Sequence, residues 1–279
     1  GGIFSIFVRD DGDDRQDLNC YAQKIDSDGE TPWGEDGMLI IDHEFNSFWG
    51  FNVVQSDNDA VVFWENTPLD HNGIFAQKVD ESGELVYPEE GMPIISGISG
   101  SAKTPILLSN GNYEFALVWN DERKTFKTPC IQFCSDNDDA VDMELVLNGL
   151  PLFEAGYDQA ARRTIDAIMN CNGSVTILFA IENYEFDNDI LYAQKVDRDG
   201  QKQWGEIGVR LSDEDAYLYW AGGIAICPGN DGETFVAWMD RGEGGPDKIE
   251  MQKLNSRGES MWEENTQIAV NQHSHFISE

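Results

Sequence analysis

A short motif recurs five times along the chain, and this repetition constrains the fold more than any other feature. Its fullest form is Tyr-Ala-Gln-Lys-Val-Asp at 192–197, followed by Gly200 and Trp204. The copies differ in completeness, and the third has lost both the glycine and the tryptophan. The central glutamines of successive copies lie about 54 to 62 residues apart. They are Gln23, Gln77, Gln132, Gln194 and Gln252. A period of this size is typical of solenoids, propellers and arrays of small modules.

Each repeat reads as four short β-strands separated by polar turns. In the second repeat the predicted strands cover 51–54, 60–64, 74–79 and 92–95, with turns rich in Asp, Asn, Ser and Gly between them. The repeats contain no amphipathic helical pattern. Four consecutive antiparallel strands per repeat are typical of propeller blades. The sequence therefore predicts an all-β fold, a single five-bladed β-propeller of four-stranded antiparallel blades.

The two ends of the chain are predicted to complete one blade together. The first repeat lacks an innermost strand, whereas 274–278 is a surplus β-prone segment after the fifth repeat. Pairing of 276–278 with the strand at 2–8 would latch the ring and remove exposed sheet edges. A β-helix or a string of small modules leaves this segment unexplained. The predicted blades are 1–44 with 271–279, then 45–97, 98–153, 154–213 and 214–270.

Charge limits the partners that such a protein can have. The chain carries 52 acidic and 18 basic residues, a formal net charge of -34. This excess argues against binding nucleic acid or an anionic membrane surface. It fits either a solvated acidic shell or specific cation binding. We expect no required cofactor, but a calcium site is possible, because calcium takes six to eight oxygen ligands. The candidate metal ligands are Asp11, Asp13, Asp187 and Asp189.

The five cysteines are irregularly spaced and odd in number, so they do not predict a disulfide framework. We expect most of them to be buried thiols. The sequence has no apolar run long enough to span a membrane and no leader pattern, so we expect no membrane insertion.

The repeated motif resembles the propeller repeats of large secreted and cell-surface bacterial proteins. The likeness is strongest around Gln23, Gln77 and Gln194 and weakest in the third copy. It implies an extracellular or cell-surface module, a monomer within a larger multidomain parent, without an agreed ligand. The turn also looks like the Asp box of sialidases, but that pattern separates its Asp from its Gly, whereas Asp199 and Gly200 are adjacent. A sialidase is not inferred.

Candidate binding residues cluster at one predicted face. In a propeller, the loops after second strands and the loops that join blades surround the central opening, which is the default binding site. Each loop after a second strand begins with Asp or Asn, which either caps backbone or supplies oxygen ligands to a cation or sugar. Aromatic residues in the joining loops either stack on sugars or fill the space between blades. These candidates are Asp10, Asn66, Asp121, Asn183 and Asp240, with the aromatic residues Trp49, Tyr157, Tyr219 and Trp220.

Two further features bear on function. Asp166 lies on a predicted inner strand where other repeats carry Asn52, Lys103 or apolar residues, so it breaks the repeat symmetry. It is either a ligand-binding or catalytic carboxyl or a solvated channel residue. The repeated glutamines are predicted to satisfy backbone groups between blades. The sequence thus favours a non-catalytic binding or scaffold propeller for a glycan, protein or cation. The alternative is a glycoside hydrolase that uses axial carboxylates.

Overall fold

The structure is a computed structural model, and it describes residues 2–10, 18–42, 48–56, 58–66, 73–96, 103–109, 114–121, 128–135, 149–153, 161–183, 188–214, 216–218, 223–241 and 247–271. These residues form nineteen β-strands and one short 3-10 turn, Asn230–Gly232. They contain no α-helix, and hence no helix long and apolar enough to cross a membrane.

The strands form five antiparallel sheets, one for each repeat, and within each sheet the strand order follows the chain. The first sheet holds β1 (Gly2–Asp10), β2 (Leu18–Asp26) and β3 (Met38–Ile41). The second holds β4 (Phe48–Ser56), β5 (Asp59–Asn66), β6 (Gly73–Val79) and β7 (Met92–Ser96). The third holds β8 (Lys103–Ser109), β9 (Glu114–Asp121), β10 (Thr128–Ser135) and β11 (Leu150–Pro151).

The fourth sheet holds β12 (Ala161–Met169), β13 (Val175–Asn183), β14 (Asn188–Val196) and β15 (Val209–Arg210). The fifth holds β16 (Ile224–Pro228), β17 (Thr234–Asp240), β18 (Asp247–Leu254) and β19 (Thr266–Asn271). The predicted fold class, an all-β chain of five antiparallel propeller blades, is confirmed.

Two details of the prediction concern strands outside the described residues. The first sheet has three strands, which agrees with a first repeat that lacks its innermost strand. The segment predicted to complete it, 276–278, lies outside the described residues, so ring closure stays a prediction. The predicted fourth strand of the third repeat, 144–147, also lies outside them. The structure places a fourth strand, β11, three residues further on.

The chain divides into two compact units, Gly1–Arg123 with Gln132–Gly149, and Lys124–Ile131 with Leu150–Glu279. In the first unit a buried cluster joins Cys20, Trp33 and Ile40 of the first repeat to Trp64 and Phe75 of the second. In the second unit an equivalent cluster joins the fourth and fifth repeats through Leu191, Trp204, Leu218, Trp238 and Leu254. Within each unit, consecutive blades therefore share an apolar core.

A repeated tryptophan links one blade to the next. The indole N–H of Trp33 donates to the Glu81 carbonyl at 3.2 Å, and that of Trp204 donates to the Ser256 carbonyl at 3.2 Å. Each acceptor lies in the hairpin turn that follows the third strand of the next blade. These buried tryptophans pack between blades, and the hydrogen bond gives each contact a fixed position.

Four of the five repeated glutamines act within their own blade, so for these four the prediction that they bridge blades is wrong. Gln194 donates to the Gly205 carbonyl at 2.8 Å and accepts from the Trp204 N–H at 3.0 Å. Both partners lie in the loop between the third and fourth strands of the same blade. Gln23, Gln77 and Gln252 hold the same loop in their blades. The glutamine thus positions the tryptophan that reaches the next blade.

The structure describes the burial of four of the five cysteines. Cys20 and Cys130 are buried, and burial raises the pKa of the Cys20 thiol to about 12. Cys171 and Cys227 are exposed. The side chain of Cys134 lies outside the described residues, so the expectation that most cysteines are buried stays a prediction. Cys171 lies in a hairpin turn and Cys227 near the end of β16, where side chains reach solvent.

Candidate functional site

The register of the strands shows which strand-exit residues are equivalent. Gln77 lies opposite Val62 and Gln252 lies opposite Val236, so the glutamines serve as a common reference. Asn66 and Asp240 each lie four residues after the valine opposite the glutamine, so they occupy equivalent positions in their blades. In the first and fourth blades that position holds Arg9 and Ile181, and Asp10 and Asn183 follow one and two residues later. The Asp and Asn residues at the strand exits therefore do not form one symmetric ring.

The structure describes only some of the predicted site residues fully. Asp121 and Asp240 are buried at the ends of β9 and β17. Asp166 and Asp189 are half-buried on β12 and β14. For Asp10, Asn66, Asn183 and Trp49 the structure describes the position in the strand and not the side chain. The other predicted residues, Asp11, Asp13, Tyr157, Asp187, Tyr219 and Trp220, lie outside the described residues.

Asp240 caps the loop that joins the fourth blade to the fifth. One oxygen of its carboxylate accepts the backbone N–H of Tyr217 at 2.8 Å, and the Tyr217 carbonyl accepts the N–H of Arg241 at 2.8 Å. From the other side, the amide of Asn188 donates to the carbonyls of Glu214 and Ala216, each at 2.8 Å. The loop carrying Asp213 and Tyr217 is therefore held from two strands.

Glu250 replaces an aromatic ring that other repeats use for packing. The residue two positions before the reference glutamine is aromatic in three other blades, and it stacks on a ring of the second strand. These stacked pairs are Phe7 with Tyr21, Trp64 with Phe75, and Phe179 with Tyr192, with ring centroids 5.7, 6.0 and 5.9 Å apart. In the fifth blade the residue opposite Trp238 is Glu250.

The surroundings of Glu250 favour its protonated form. Burial is the largest cause of its raised pKa, and the negative charges of Asp240 and Asp213 raise it further. Lys248 acts in the opposite direction. The indole N–H of Trp238 is fully buried beside this carboxyl and makes no hydrogen bond of normal geometry with the described residues. A half-buried carboxyl thus keeps its proton to higher pH beside two other carboxyls.

An exposed aromatic ring adjoins this cluster. Tyr217, whose N–H binds Asp240, is 45% exposed. We refer to Asp213, Tyr217, Asp240, Lys248 and Glu250 as the acidic site. All five belong to the fifth blade or to the loop that leads into it. A half-buried carboxyl whose pKa is raised by burial and by neighbouring acids, next to the exposed residue Tyr217, marks a candidate functional site.

Asp166 stands apart from the acidic site electrostatically. It follows a β-bulge between Thr164 and Asp166, where Ile165 is the unmatched residue. Burial raises the pKa of its carboxyl, and the hydrogen bond from the Ala167 N–H, 2.8 Å long, lowers it by less. Among the residues whose side chains the structure describes, no charged group shifts the pKa of Asp166. In that part of the chain Asp166 is a half-buried acid.

No group of three or more His, Cys, Asp or Glu side chains among the described residues is placed to hold a metal ion. Three of the predicted calcium ligands lie outside those residues, and Asp189, on β14, faces Glu182 across the strand pair. The calcium site stays a prediction.

No protein-family model and no curated protein matches this sequence. Solved structures with some similarity are carbohydrate-active proteins. An α-L-arabinofuranosidase from Clostridium thermocellum has 13% identity, covering 98% of this chain and 93% of its own, with a TM-score of 0.40. An endo-arabinase from Bacteroides thetaiotaomicron has 13% identity, with 76% and 80% coverage and a TM-score of 0.40.

A third similar structure is a putative exo-beta-1,3-galactanase from Bifidobacterium bifidum, with 11% identity, 88% and 75% coverage and a TM-score of 0.41. The activities in these names are those of the named proteins.

Asp240 is the one residue of the acidic site among the candidates from the sequence, which do not include Asp213, Tyr217, Lys248 or Glu250. Aligning the five motif copies gives the signal for Glu250, because that column holds Tyr21, Phe75, Cys130 and Tyr192 in the other repeats. A carboxyl at a position that other repeats use for aromatic packing indicates a functional site. Asp213 has no comparable signal, since it is one of many acids in loops.

Proposed function

We propose that this protein is an extracellular or cell-surface propeller module that binds a neutral glycan at its acidic site. The observation that carries the proposal is the replacement of a packing aromatic residue by Glu250, which brings three carboxyls together beside exposed Tyr217. The extracellular location and the absence of catalysis rest on the resemblance of the repeats and remain part of the proposal.

The chemistry of the acidic site suits a sugar. The carboxyl groups of Glu250, Asp213 and Asp240 can accept hydrogen bonds from sugar hydroxyls, and Glu250 can donate one when it carries its proton. The exposed ring of Tyr217 offers a flat apolar surface for the C–H face of a pyranose ring. The acids repel uronic acids and sulfated sugars, as does the net charge of -34. Neutral oligosaccharides are therefore the expected ligands.

Glycan arrays followed by calorimetry test this proposal. We expect Tyr217→Ala and Glu250→Tyr to weaken binding at least about tenfold, equivalent to about 1.4 kcal/mol. Glu250→Tyr restores the aromatic residue found at this position in other repeats, so the protein should stay folded. Glu263→Gln, an exposed acid outside the site, is the matched control. Unchanged affinity in both site variants would place the ligand elsewhere, and failure of every neutral glycan to bind would refute the proposal.

A glycoside hydrolase is the second candidate function, favoured by one observation. A carboxyl whose pKa is raised and which lies beside two other carboxyls is typical of a general acid with its partner. If the site is catalytic, a polysaccharide screen will detect reducing ends, and Glu250→Gln will abolish their release while retaining ligand binding. If Asp166→Asn abolishes activity instead, the catalytic carboxyl lies on β12. Binding without release of reducing ends supports the module.

We propose the calcium site and the monomeric state within a multidomain parent as separate expectations. Calcium binding predicts a higher melting temperature in calcium than in a chelator, and Asp13→Asn with Asp187→Asn should remove the difference. Sedimentation at several protein concentrations tests the monomeric state. An unchanged melting temperature on chelation would remove calcium from the proposal.

A further inference from the structure

The last strand of the fifth blade places an amide beside the acidic site. Gln267 on β19 pairs with Glu250 on β18, and Glu250 in turn pairs with Trp238 on β17. Residues paired across antiparallel strands share one face of the sheet, with their Cβ atoms about 4.5–5.5 Å apart. Gln267 is exposed. Its amide and the half-buried carboxyl of Glu250 are therefore close enough for one ligand to contact both.

The start of β19 is tied to the loop that carries Asp213. The amide of Asn265, directly before β19, donates to the Leu211 carbonyl at 3.1 Å, and its oxygen accepts from the Gln252 amide at 3.2 Å. Leu211 lies two residues before Asp213, and Asn265 lies two residues before Gln267. Side chains two residues apart in an extended chain share a face. Gln267 therefore lies on the side of β19 that meets this loop.

The pairing of an amide with a carboxyl is particular to the fifth blade. The residue paired with Gln267 is the one that replaces a packing residue of the other repeats. In the other blades the equivalent pairs are Tyr21 with Leu39, Phe75 with Pro93, Cys130 with Pro151 and Tyr192 with Arg210. Arg210 in turn forms an ion pair with Glu214 at 2.5 Å. Among these described pairs, only the fifth therefore offers two uncharged or acidic groups suited to hydroxyls.

A buried donor lies at the inner end of the same row. The indole N–H of Trp238 is fully buried and has no hydrogen-bond partner of normal geometry among the described residues, which is a sign of a polar site independent of the acids. The row from Trp238 through Glu250 to Gln267 crosses three neighbouring strands. Two strand spacings make its width about 10 Å, which exceeds a single sugar ring.

We propose that Gln267 and Glu250 form a second sugar subsite, so that the acidic site binds a neutral oligosaccharide of at least two units. This inference rests on the proposed function and adds the minimum length of its ligand. Tyr217 and Asp240 contact one sugar unit, and Gln267 with Glu250 contacts the next. The Gln267 amide donates to one hydroxyl and accepts from another, and the Glu250 carboxyl accepts from a neighbouring hydroxyl.

Calorimetry with sugars of increasing length tests this proposal. The probes are glucose, xylose and mannose with their β-1,4-linked dimers and trimers. In the series that binds, we expect the dimer to bind about tenfold more tightly than its monomer, because the second unit adds the hydrogen bonds of Gln267. Gln267→Ala should remove this tenfold gain and leave the affinity for the monomer unchanged.

Thr266→Ala is the matched control. Thr266 is an exposed neighbour on β19 and pairs with Met251 on the opposite face, so its loss should not alter binding of any probe. Because Gln267 is exposed, we expect Gln267→Ala to melt at the wild-type temperature, which separates a lost contact from a lost fold.

The outcomes separate this inference from the proposed function. Dimer binding that is lost in Glu250→Tyr but unchanged in Gln267→Ala would overturn the second subsite and keep the acidic site as the glycan site. A dimer that binds no more tightly than its monomer would do the same. If none of the probes binds and the neutral glycan array is also blank, the proposed function and the second subsite are both wrong.

Discussion

Glu250 lies at a position that three other repeats fill with an aromatic ring, and this explains its electrostatics. The position is half-buried because the blade architecture packs it against a second-strand ring. A carboxyl placed there loses hydration and faces Asp240 and Asp213. The sequence alone shows that Glu250 replaces the aromatic residue found at this position in three other repeats. Its raised pKa comes mainly from burial and then from Asp240, with a smaller contribution from Asp213, and only the structure provides this burial and these positions.

Glu250→Gln should stabilise the protein in a pH-dependent way. The folded-state pKa of Glu250 is raised, so the folded protein binds more protons than the unfolded chain as pH rises from the ordinary Glu range to that raised pKa. Stability is lost across this interval, and the loss persists at neutral pH. We expect the variant to melt higher than wild type at pH 7.5 and equally at pH 3.5, by calorimetry. A Glu263→Gln control should show no such difference, and a lower melting temperature at pH 7.5 would contradict the prediction.

At the scale of the elements, the repeat allowed the strands to be predicted but left their partners uncertain. The five motif copies predict third strands that agree with β2, β6, β10, β14 and β18. The prediction that Gln194 bridges two blades is wrong because sequence spacing does not show whether its partner is a loop ten residues ahead or a neighbouring blade. The sequence treats Asn183 and Asp10 as equivalents of Asp240. This equivalence fails because the strands differ in length at their exits. Register depends on hydrogen bonding that a sequence pattern does not specify.

Gln194→Leu should destabilise the fourth blade. The change leaves the buried Trp204 N–H unpaired, which costs about 1–3 kcal/mol, and removes a donor from the carbonyl of exposed Gly205, which water can replace. We expect the free energy of unfolding to fall by about 1–3 kcal/mol in urea titrations. Gln201→Leu, at an exposed turn residue, should change it by less than about 0.5 kcal/mol. Similar losses in both variants would show that the glutamine is not a specific anchor.

Gly258→Ala tests the contact between the fourth and fifth blades. Gly258 has φ +80°, and a Cβ atom there would lie 2.6 Å from the Trp204 ring. Gly205 has nearly the same backbone conformation, φ +78°, with no atom within 4 Å of its Cβ position. Gly205→Ala should therefore cost about 1 kcal/mol for the backbone alone. Gly258→Ala should cost about 1–3 kcal/mol more. Equal losses in chemical denaturation would remove Trp204 as the cause.

At the scale of the whole molecule, charge is the dominant feature that packing does not explain. A net charge of -34 on 279 residues disfavours any compact state through self-repulsion. The sequence establishes this charge directly. Because acids outnumber bases, ion pairs between side chains are few among the described residues. Several basic residues form theirs within a hairpin, as Lys78 does with Asp59.

Added salt should therefore stabilise the protein. Screening shortens the range of charge repulsion, from about 30 Å at 0.01 M to about 8 Å at 0.15 M ionic strength. We expect the melting temperature to rise steadily as sodium chloride increases over this range. Potassium chloride should act equally, because screening depends on ionic strength. A flat or falling melting temperature would show that ion pairs outweigh the repulsion.

The tryptophan link between blades has a direction, and this direction matters during synthesis. Trp33 and Trp204 bind carbonyls that lie 48 and 52 residues later in the chain. A growing chain therefore presents each indole before the ribosome has made the turn that covers it. The second blade covers Trp33 of the first, and the fifth blade covers Trp204 of the fourth. A chain interrupted before either turn is made therefore keeps that tryptophan uncovered.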